Sequence, residues 1–134
     1  MRPVELHPNA AADIRRIANQ APKAAAAVTV LIQEMGGDPD LHDRLLEHGA
    51  TDGGWNVKHW WTEYKAGNNL WRLRLLEPNG PASDYRIMYG YVPHAPNQQA
   101  RFCVLAVVHR GEFNYERDSD IGQRIVRNYQ ELLF

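Results

Sequence analysis

Three apolar segments in the second half of the chain carry the clearest structural pattern. They are LWRLRLL (70–76), DYRIMYGYV (84–92) and RFCVLAVVHR (101–110), and the turn-rich stretches EPNGPAS and PHAPNQQ separate them. Their alternation and their aromatic and β-branched residues predict three strands, and the short connections favour an antiparallel meander. In the third segment the residues of both faces are apolar, which predicts a strand near the centre of a sheet that is covered on both sides.

The first 37 residues predict a short extended segment and two helices. Val4 and Leu6 alternate around a polar residue, which indicates a first strand or an extended lead-in. The stretch PNAAADIRRIANQ has helical spacing of apolar residues, with Asn9 as the expected N-cap. Pro22 then restarts the chain, and APKAAAAVTVLIQEMGG predicts a second helix with proline in its first turn and glycine past its end. We expect an antiparallel helix pair.

The region from residue 38 to residue 69 has a mixed pattern. LHDRLLEHG predicts one or two helical turns that Gly49 ends. WNVKHWW fits both strand and helix spacing, and its three tryptophans and valine favour a strand, with KAGNN as the turn that follows. At the other end of the chain, SDIGQRIVRNYQELL predicts an amphipathic helix with Asp118 or Ser119 as its cap.

Composition narrows the class of protein. A chain of 134 residues fits a single domain, residues 1–134, with a hydrophobic core of its own. The single cysteine, Cys103, excludes an intramolecular disulfide, and no stretch has the length of a membrane span or the apolar core of a signal peptide. We therefore expect a cytoplasmic protein without a membrane partner.

Charge is unevenly distributed along the sequence. The formal net charge is −1, but residues 55–117 contain 8 Lys and Arg against 5 Asp and Glu, whereas both flanking segments are acidic. The middle segment, with a net charge of +3, is compatible with a locally positive groove on a nearly neutral protein.

Four arginines of the predicted sheet are the main candidates for chemistry. Strand alternation places Arg72 and Arg74 on one face, about 7 Å apart, and Arg86 lies on the next strand. Arg110 ends the last strand, and Tyr115 follows it. Guanidinium groups fixed on a rigid sheet match the oxygens of a phosphodiester. An arginine in such a position is, taken alone, more often an ordinary surface residue than part of a site. The prediction therefore depends on the convergence of all four.

The sequence contains no motif of other common chemistries. Its six histidines include no His-x-x-x-His pair and no Cys/His cluster of zinc spacing, and there is no Gly-rich phosphate loop or G-x-S-x-G turn. We therefore expect neither a metal nor a cofactor.

The order of these segments resembles the RelE/ParE superfamily of bacterial toxins. The likeness lies in paired basic residues on one strand, a Tyr-Arg-hydrophobic start of the next, and a strand that ends in His-Arg with a tyrosine five residues later. The resemblance implies an α+β fold, in which an N-terminal helix pair packs on an antiparallel β-sheet meander with a C-terminal helix. It also implies the toxin of a type II toxin–antitoxin system.

In the RNA-cutting branch, the resemblance implies a metal-independent endoribonuclease (mRNA interferase) that cleaves messenger RNA in the ribosomal A site. A ribose 2′-hydroxyl attacks the adjacent phosphate, and the partners are a cognate antitoxin, the messenger and the ribosome. Arg72 and Arg74 match two strand lysines that help activate the hydroxyl and hold the phosphate, and Arg86 matches an arginine that stabilises the transition state. Arg110 matches a residue that assists the leaving group, and Tyr115 matches a tyrosine that orients or stacks on the substrate.

Arginine in place of lysine at positions 72 and 74 changes the expected proton transfer. Because a guanidinium scarcely deprotonates, the role of general base shifts toward His109, although strand alternation directs it away from Arg110 unless the strand bends. The candidate catalytic residues are Arg72, Arg74, Arg86, His109, Arg110 and Tyr115, and the substrate-binding candidates are Lys58 and Phe113. Two alternatives stay open: a non-enzymatic ParE-like toxin that binds DNA gyrase, or an orphan phage-derived member that has lost catalysis.

Overall fold

The computed structural model describes residues 3–76 and 80–133. The strands are β1 (Val4–Leu6), β2 (Trp55–His59), β3 (Leu70–Leu75), β4 (Tyr85–Val92) and β5 (Arg101–His109). The helices are α1 (Pro8–Gln20), α2 (Pro22–Gly37), α3 (Pro39–Arg44), α4 (Trp61–Lys65) and α5 (Asp120–Leu132), with a 3-10 helix over Gly80–Asp84. The fold is α+β, as the sequence predicts.

One five-stranded sheet in the order β1-β5-β4-β3-β2 organises the molecule. The strands β2, β3, β4 and β5 pair in sequence order and antiparallel to one another, which confirms the predicted meander. The sheet is nevertheless mixed, because β1 pairs in parallel with β5, from Val4 opposite Phe102 to Leu6 opposite Val104. Three residues carry too little pattern to predict the direction of such a pairing.

Helices cover both faces of the sheet, which agrees with the apolar pattern of β5. On one face, residues of α1 and α2, such as Ile17 and Val28, form a core with Leu73 and Val107. On the other face, residues of α5 such as Ile125 form a second core with Met88 and other residues of β4 and β5. A bulge between β4 and β5 lets Leu105 and Ala106, adjacent in sequence, both enter this second core.

Two close contacts fix the helices to the sheet. Gly90 lies in the middle of β4, where a Cβ atom would come within 2.5 Å of the Tyr129 ring of α5, so only glycine admits that ring. Buried Asp13 of α1 accepts a hydrogen bond from the backbone N–H of Val107 (3.0 Å) and pairs with Arg124 of α5 (2.8 Å). Val107 lies beyond the end of the short β1, where the described residues place no strand on that side of β5. The Asp13 carboxylate therefore accepts the hydrogen bond that a neighbouring strand would otherwise accept.

Some predicted details differ from the structure. The N-cap of α1 is His7, whose Nδ1 accepts from the backbone N–H of Asn9, so the expectation of Asn9 as the cap is wrong. Ser119 caps α5, one of the two residues expected. WNVKHWW, which fits both strand and helix spacing, forms the strand β2 and then the start of the short helix α4.

Within the part of the chain that the structure describes, every helix is too short or too polar to cross a membrane.

Candidate functional site

The predicted arginines converge on one face of the sheet. In the strand register Arg74 lies opposite Arg86, and Lys58 lies opposite Arg72, so β2, β3 and β4 all contribute cations to the same face. A pocket of about 190 Å³ opens on this face. It is lined by Arg72, Arg74, Arg86, Arg110, Phe113, Asn114 and Tyr115.

Backbone carbonyls hold two of the guanidinium groups in place. Arg72 donates to the carbonyl oxygen of Asn56 (3.3 Å) and is only 8% exposed. Arg86 donates to the carbonyl oxygens of Ser83 (2.9 Å) and Tyr85 (3.2 Å). Because these bonds use neutral acceptors, the positive charge of both groups stays available to an anion.

The other two arginines have different surroundings. Arg74 Nε is buried and has no hydrogen-bond partner within residues 3–76 and 80–133. A buried donor without a partner is costly, and an anionic oxygen in the pocket would satisfy it. Arg110 pairs with Asp84 (3.2 Å), but both side chains are well exposed, and exposed pairs contribute little and exchange readily.

Tyr115 closes the pocket from a strained backbone position. Its φ of 64° lies in the left-handed region, which side chains other than glycine rarely adopt. The indole N–H of Trp60 donates to the Tyr115 carbonyl oxygen (3.2 Å), and the Phe113 ring packs 5.4 Å from the Tyr115 ring. Such strain persists only where surrounding contacts enforce it, and here the contacts hold the phenol against Arg86.

The electrostatics of the pocket are those of crowded cations. Burial lowers the pKa of Arg72; Tyr115 opposes this shift, and the nearby Arg86 and Arg74 add to it. Burial likewise lowers the pKa of Arg86, Tyr115 raises it by charge and by a side-chain hydrogen bond, and Arg74 and Arg110 lower it. No acidic side chain among the described residues lines the pocket. A bound anion would therefore relieve the mutual repulsion of the guanidiniums.

His109 does not join the pocket. It lies opposite Tyr85 in the register, whereas the pocket residue Arg86 is opposite Val108, so His109 points to the other face of the sheet. Its Nδ1 accepts from the backbone N–H of Gly111 (2.9 Å), and its ring contacts the Tyr85 ring edge-on. The structure therefore does not support the expectation that His109 is the general base.

The remaining candidates contribute in different ways. Phe113 lines the pocket but is only 3% exposed and packs edge-on against Trp60, so it supports the wall. Lys58 lies outside the pocket and lines a neighbouring groove. Asn114 lines the pocket and was not predicted, although its place between two singled-out aromatic residues was the available signal.

Among the residues that the structure describes, no three His, Cys, Asp or Glu side chains lie close enough together to hold a metal ion.

Comparison of the chain with protein-family models, with curated proteins and with solved structures found no match. Function is therefore inferred from the pocket and from the resemblance of the sequence pattern.

Proposed function

We propose that this protein is a metal-independent endoribonuclease of the RelE-like kind, the toxin of a type II toxin–antitoxin pair. The observation that carries the proposal is the convergence of Arg72, Arg74, Arg86 and Arg110 with Tyr115 around one pocket. Four converging guanidiniums, two of them held by backbone carbonyls, match a phosphodiester, whose phosphorus gains negative charge as it becomes five-coordinate.

The reaction assigned to the pocket is internal transfer on RNA. The ribose 2′-oxygen forms a bond to the adjacent phosphorus, the bond from phosphorus to the 5′-oxygen breaks, and a 2′,3′-cyclic phosphate results. The substrate supplies its own nucleophile, so the protein needs mainly to position and to stabilise charge. Water takes the proton of the 2′-hydroxyl and returns one to the 5′-oxygen, because no guanidinium changes its protonation state.

Each side chain has a role that follows from its position. Arg72 and Arg74, neighbours on one face of β3, hold the non-bridging oxygens of the phosphate. Arg86 stabilises the charge of the transition state, and the more exposed Arg110 exchanges Asp84 for the leaving oxygen. The hydroxyl of Tyr115, fixed against Arg86, orients the ribose.

The test is cleavage of messenger RNA by the purified protein on translating ribosomes, with the new 5′ ends mapped. We expect cuts that disappear when the ribose before the cut carries no 2′-hydroxyl, and 5′-hydroxyl rather than 5′-phosphate ends. Arg86→Ala serves as the inactive control. Intact messenger together with inhibited DNA supercoiling by gyrase would overturn this proposal in favour of the non-enzymatic toxin.

The same proposal includes a protein partner, a cognate antitoxin. A small adjacent open reading frame that encodes a DNA-binding domain with a flexible tail would supply it. Co-expression with that product is expected to remove the growth defect that the chain alone causes.

A further inference from the structure

A second concave surface adjoins the arginine pocket. This groove, of about 300 Å³, shares Arg72 and Tyr115 with the pocket, so the two lie side by side against the same two side chains. The groove is lined by Lys58, His59, Trp60, Trp61, Thr62, Arg72 and Tyr115. We call it the Trp61 groove.

The groove contains a large aromatic side chain that the cores do not use. All four tryptophans lie in the described part of the chain; Trp55, Trp60 and Trp71 are at most 5% exposed, whereas Trp61 is 51% exposed. The ring of Tyr64 stacks nearly parallel to that of Trp61, with 5.8 Å between centroids. An exposed indole that lines a groove beside cations is a surface on which a flat ring can stack.

Contacts within the fold hold α4, the helix that carries this indole, against the segment that closes the pocket. Trp61 begins α4, and buried Glu63 of the same helix pairs with Arg117 (2.8 Å) and accepts from Asn68 (3.0 Å). Arg117 lies two residues beyond Tyr115, so this pair connects α4 to the segment that closes the pocket. The neighbouring Trp60 donates to the Tyr115 carbonyl oxygen, which adds a direct connection.

The positive charge of the groove favours a ring that is attached to an anionic group. Lys58 and Arg72 face each other across β2 and β3, and both line the groove. Lys65 is outside the lining, and its Nζ lies over the Trp61 ring, 5.3 Å from the centroid. No acidic residue of the described chain lines the groove. A ligand that joins a flat ring to a phosphate satisfies both the groove and the pocket.

We propose that the Trp61 groove binds the base of the nucleotide adjacent to the phosphate in the arginine pocket, by stacking on Trp61. The inference rests on the proposed function, because it extends the same single-stranded RNA from the pocket into the groove. Stacking tolerates every base, so the groove contributes affinity and position with little sequence preference.

The test uses a fluorescently labelled single-stranded oligoribonucleotide with one 2′-deoxyribose at the scissile position, which binds but is not cleaved. A matched series of probes lacks the base at one nucleotide on either side of that position. Fluorescence anisotropy gives Kd for each probe with the wild-type protein and with Trp61→Ala, Trp61→Phe, Arg86→Ala and Val30→Ala. Val30 is the control, because it is as exposed as Trp61 but lies on α2.

We expect the loss of one flanking base to weaken binding to the wild-type protein by about 5- to 150-fold, the range of one stacked base. Trp61→Ala is expected to weaken binding of the intact probe by a similar factor and to leave binding of that base-free probe unchanged. Trp61→Phe retains most of the affinity, Val30→Ala equals the wild type, and Arg86→Ala weakens all probes equally because it acts on the phosphate.

A readout on the wild-type protein makes the test independent of the folding of any variant. Trp61, the exposed indole, dominates quenching of fluorescence by acrylamide, and bound oligonucleotide is expected to reduce that quenching. Equal affinity of Trp61→Ala and the wild type for the intact probe, with Arg86→Ala still weaker, would overturn this inference alone. Absence of wild-type binding at millimolar probe would also overturn it, and the ribosome cleavage assay then decides the proposed function separately.

Discussion

Arg86 is the residue on which the proposed chemistry depends most directly. Its guanidinium is fixed by two backbone carbonyls and contacts Tyr115, so it is already oriented before a substrate binds. Loss of one such preorganised donor typically lowers kcat by about 10² to 10³. We therefore expect Arg86→Ala to cleave messenger RNA about 10² to 10³ times more slowly and to lose its toxicity.

The same substitution has a limited effect on the fold. Removing the two bonds to carbonyls is expected to lower the free energy of unfolding by about 1 to 3 kcal/mol, as measured by urea denaturation. Arg15→Ala, a substitution of an exposed arginine on α1, is the control and keeps full activity. Undiminished toxicity of Arg86→Ala at equal expression would contradict the assigned role.

For His109 we predict that substitution has little effect on cleavage. Because it lies on the other face of the sheet and its Nδ1 accepts from Gly111, it is not in reach of a ribose in the pocket. We expect His109→Gln to retain cleavage within a few-fold of the wild type. A loss of cleavage by His109→Gln as large as that of Arg86→Ala, in a protein that still folds, would restore the histidine as base.

At the scale of elements, the pair of Asp13 and Arg124 connects α1, β5 and α5. Asp13→Ala leaves the Val107 N–H and the largely buried Arg124 without their partner. Breaking a buried pair of this kind typically costs about 3 to 5 kcal/mol of unfolding free energy. Urea denaturation followed by circular dichroism is the measurement.

Arg16→Ala is the matched control for that pair. Arg16 also contacts Asp13 (3.3 Å), but its side chain is 52% exposed, so its loss is expected to cost less than about 1 kcal/mol. Equal losses for Asp13→Ala and Arg16→Ala would mean that Asp13 acts only as a surface partner.

The sequence predicted the strands of the meander and the helix pair because the local signals in each segment agree on one type of element. These signals are the spacing and alternation of apolar residues, the β-branched and aromatic residues, and the proline, glycine and turn residues at the ends. The same alternation placed Arg72 and Arg74 on one face, and the register then added Arg86. Contacts between segments far apart in the sequence could not be predicted from such local patterns. The parallel pairing of β1 and the groove beside Trp61 each depend on residues brought together by the fold. The cap of α1 is by contrast a local contact between His7 and Asn9, and it was missed because Asn is the more common N-cap residue.

At the scale of the whole molecule, one face of the sheet is divided between packing and the candidate site. Arg72 lies opposite Met88, and Arg86 lies opposite Val108; both apolar partners belong to the core that α5 covers. The helix covers one part of this face, and the arginine pocket opens beside it. Burial of the central strands thus gives the guanidiniums a rigid base. Arg72 and the Arg74 Nε are themselves buried, so the pocket has a desolvation cost that a bound anion would offset.

The buried thiol of Cys103 gives a test of this packing that is independent of function. The thiol is 2% exposed in β5, and burial raises its pKa from 9.0 to about 11, with Glu5 adding to the shift and Arg101 opposing it. Between those two pH values the unfolded chain loses a proton that the native protein keeps, so stability falls as pH rises. The contribution of this one group is a loss of about 2 to 3 kcal/mol by pH 11.

Cys103→Ala isolates that contribution from the buried tyrosines, whose pKa values burial also raises. The alanine leaves a small cavity, which lowers the free energy of unfolding by a similar amount at every pH. Ionisation of the thiol in the unfolded chain, by contrast, lowers the stability of the wild type only above about pH 9. We therefore expect the difference in unfolding free energy between the two proteins to be constant from pH 7 to pH 8.5 and to shrink by about 2 to 3 kcal/mol toward pH 11. A difference that does not change with pH would mean that water reaches the thiolate, and that the centre of the sheet is less closely packed than the structure has it.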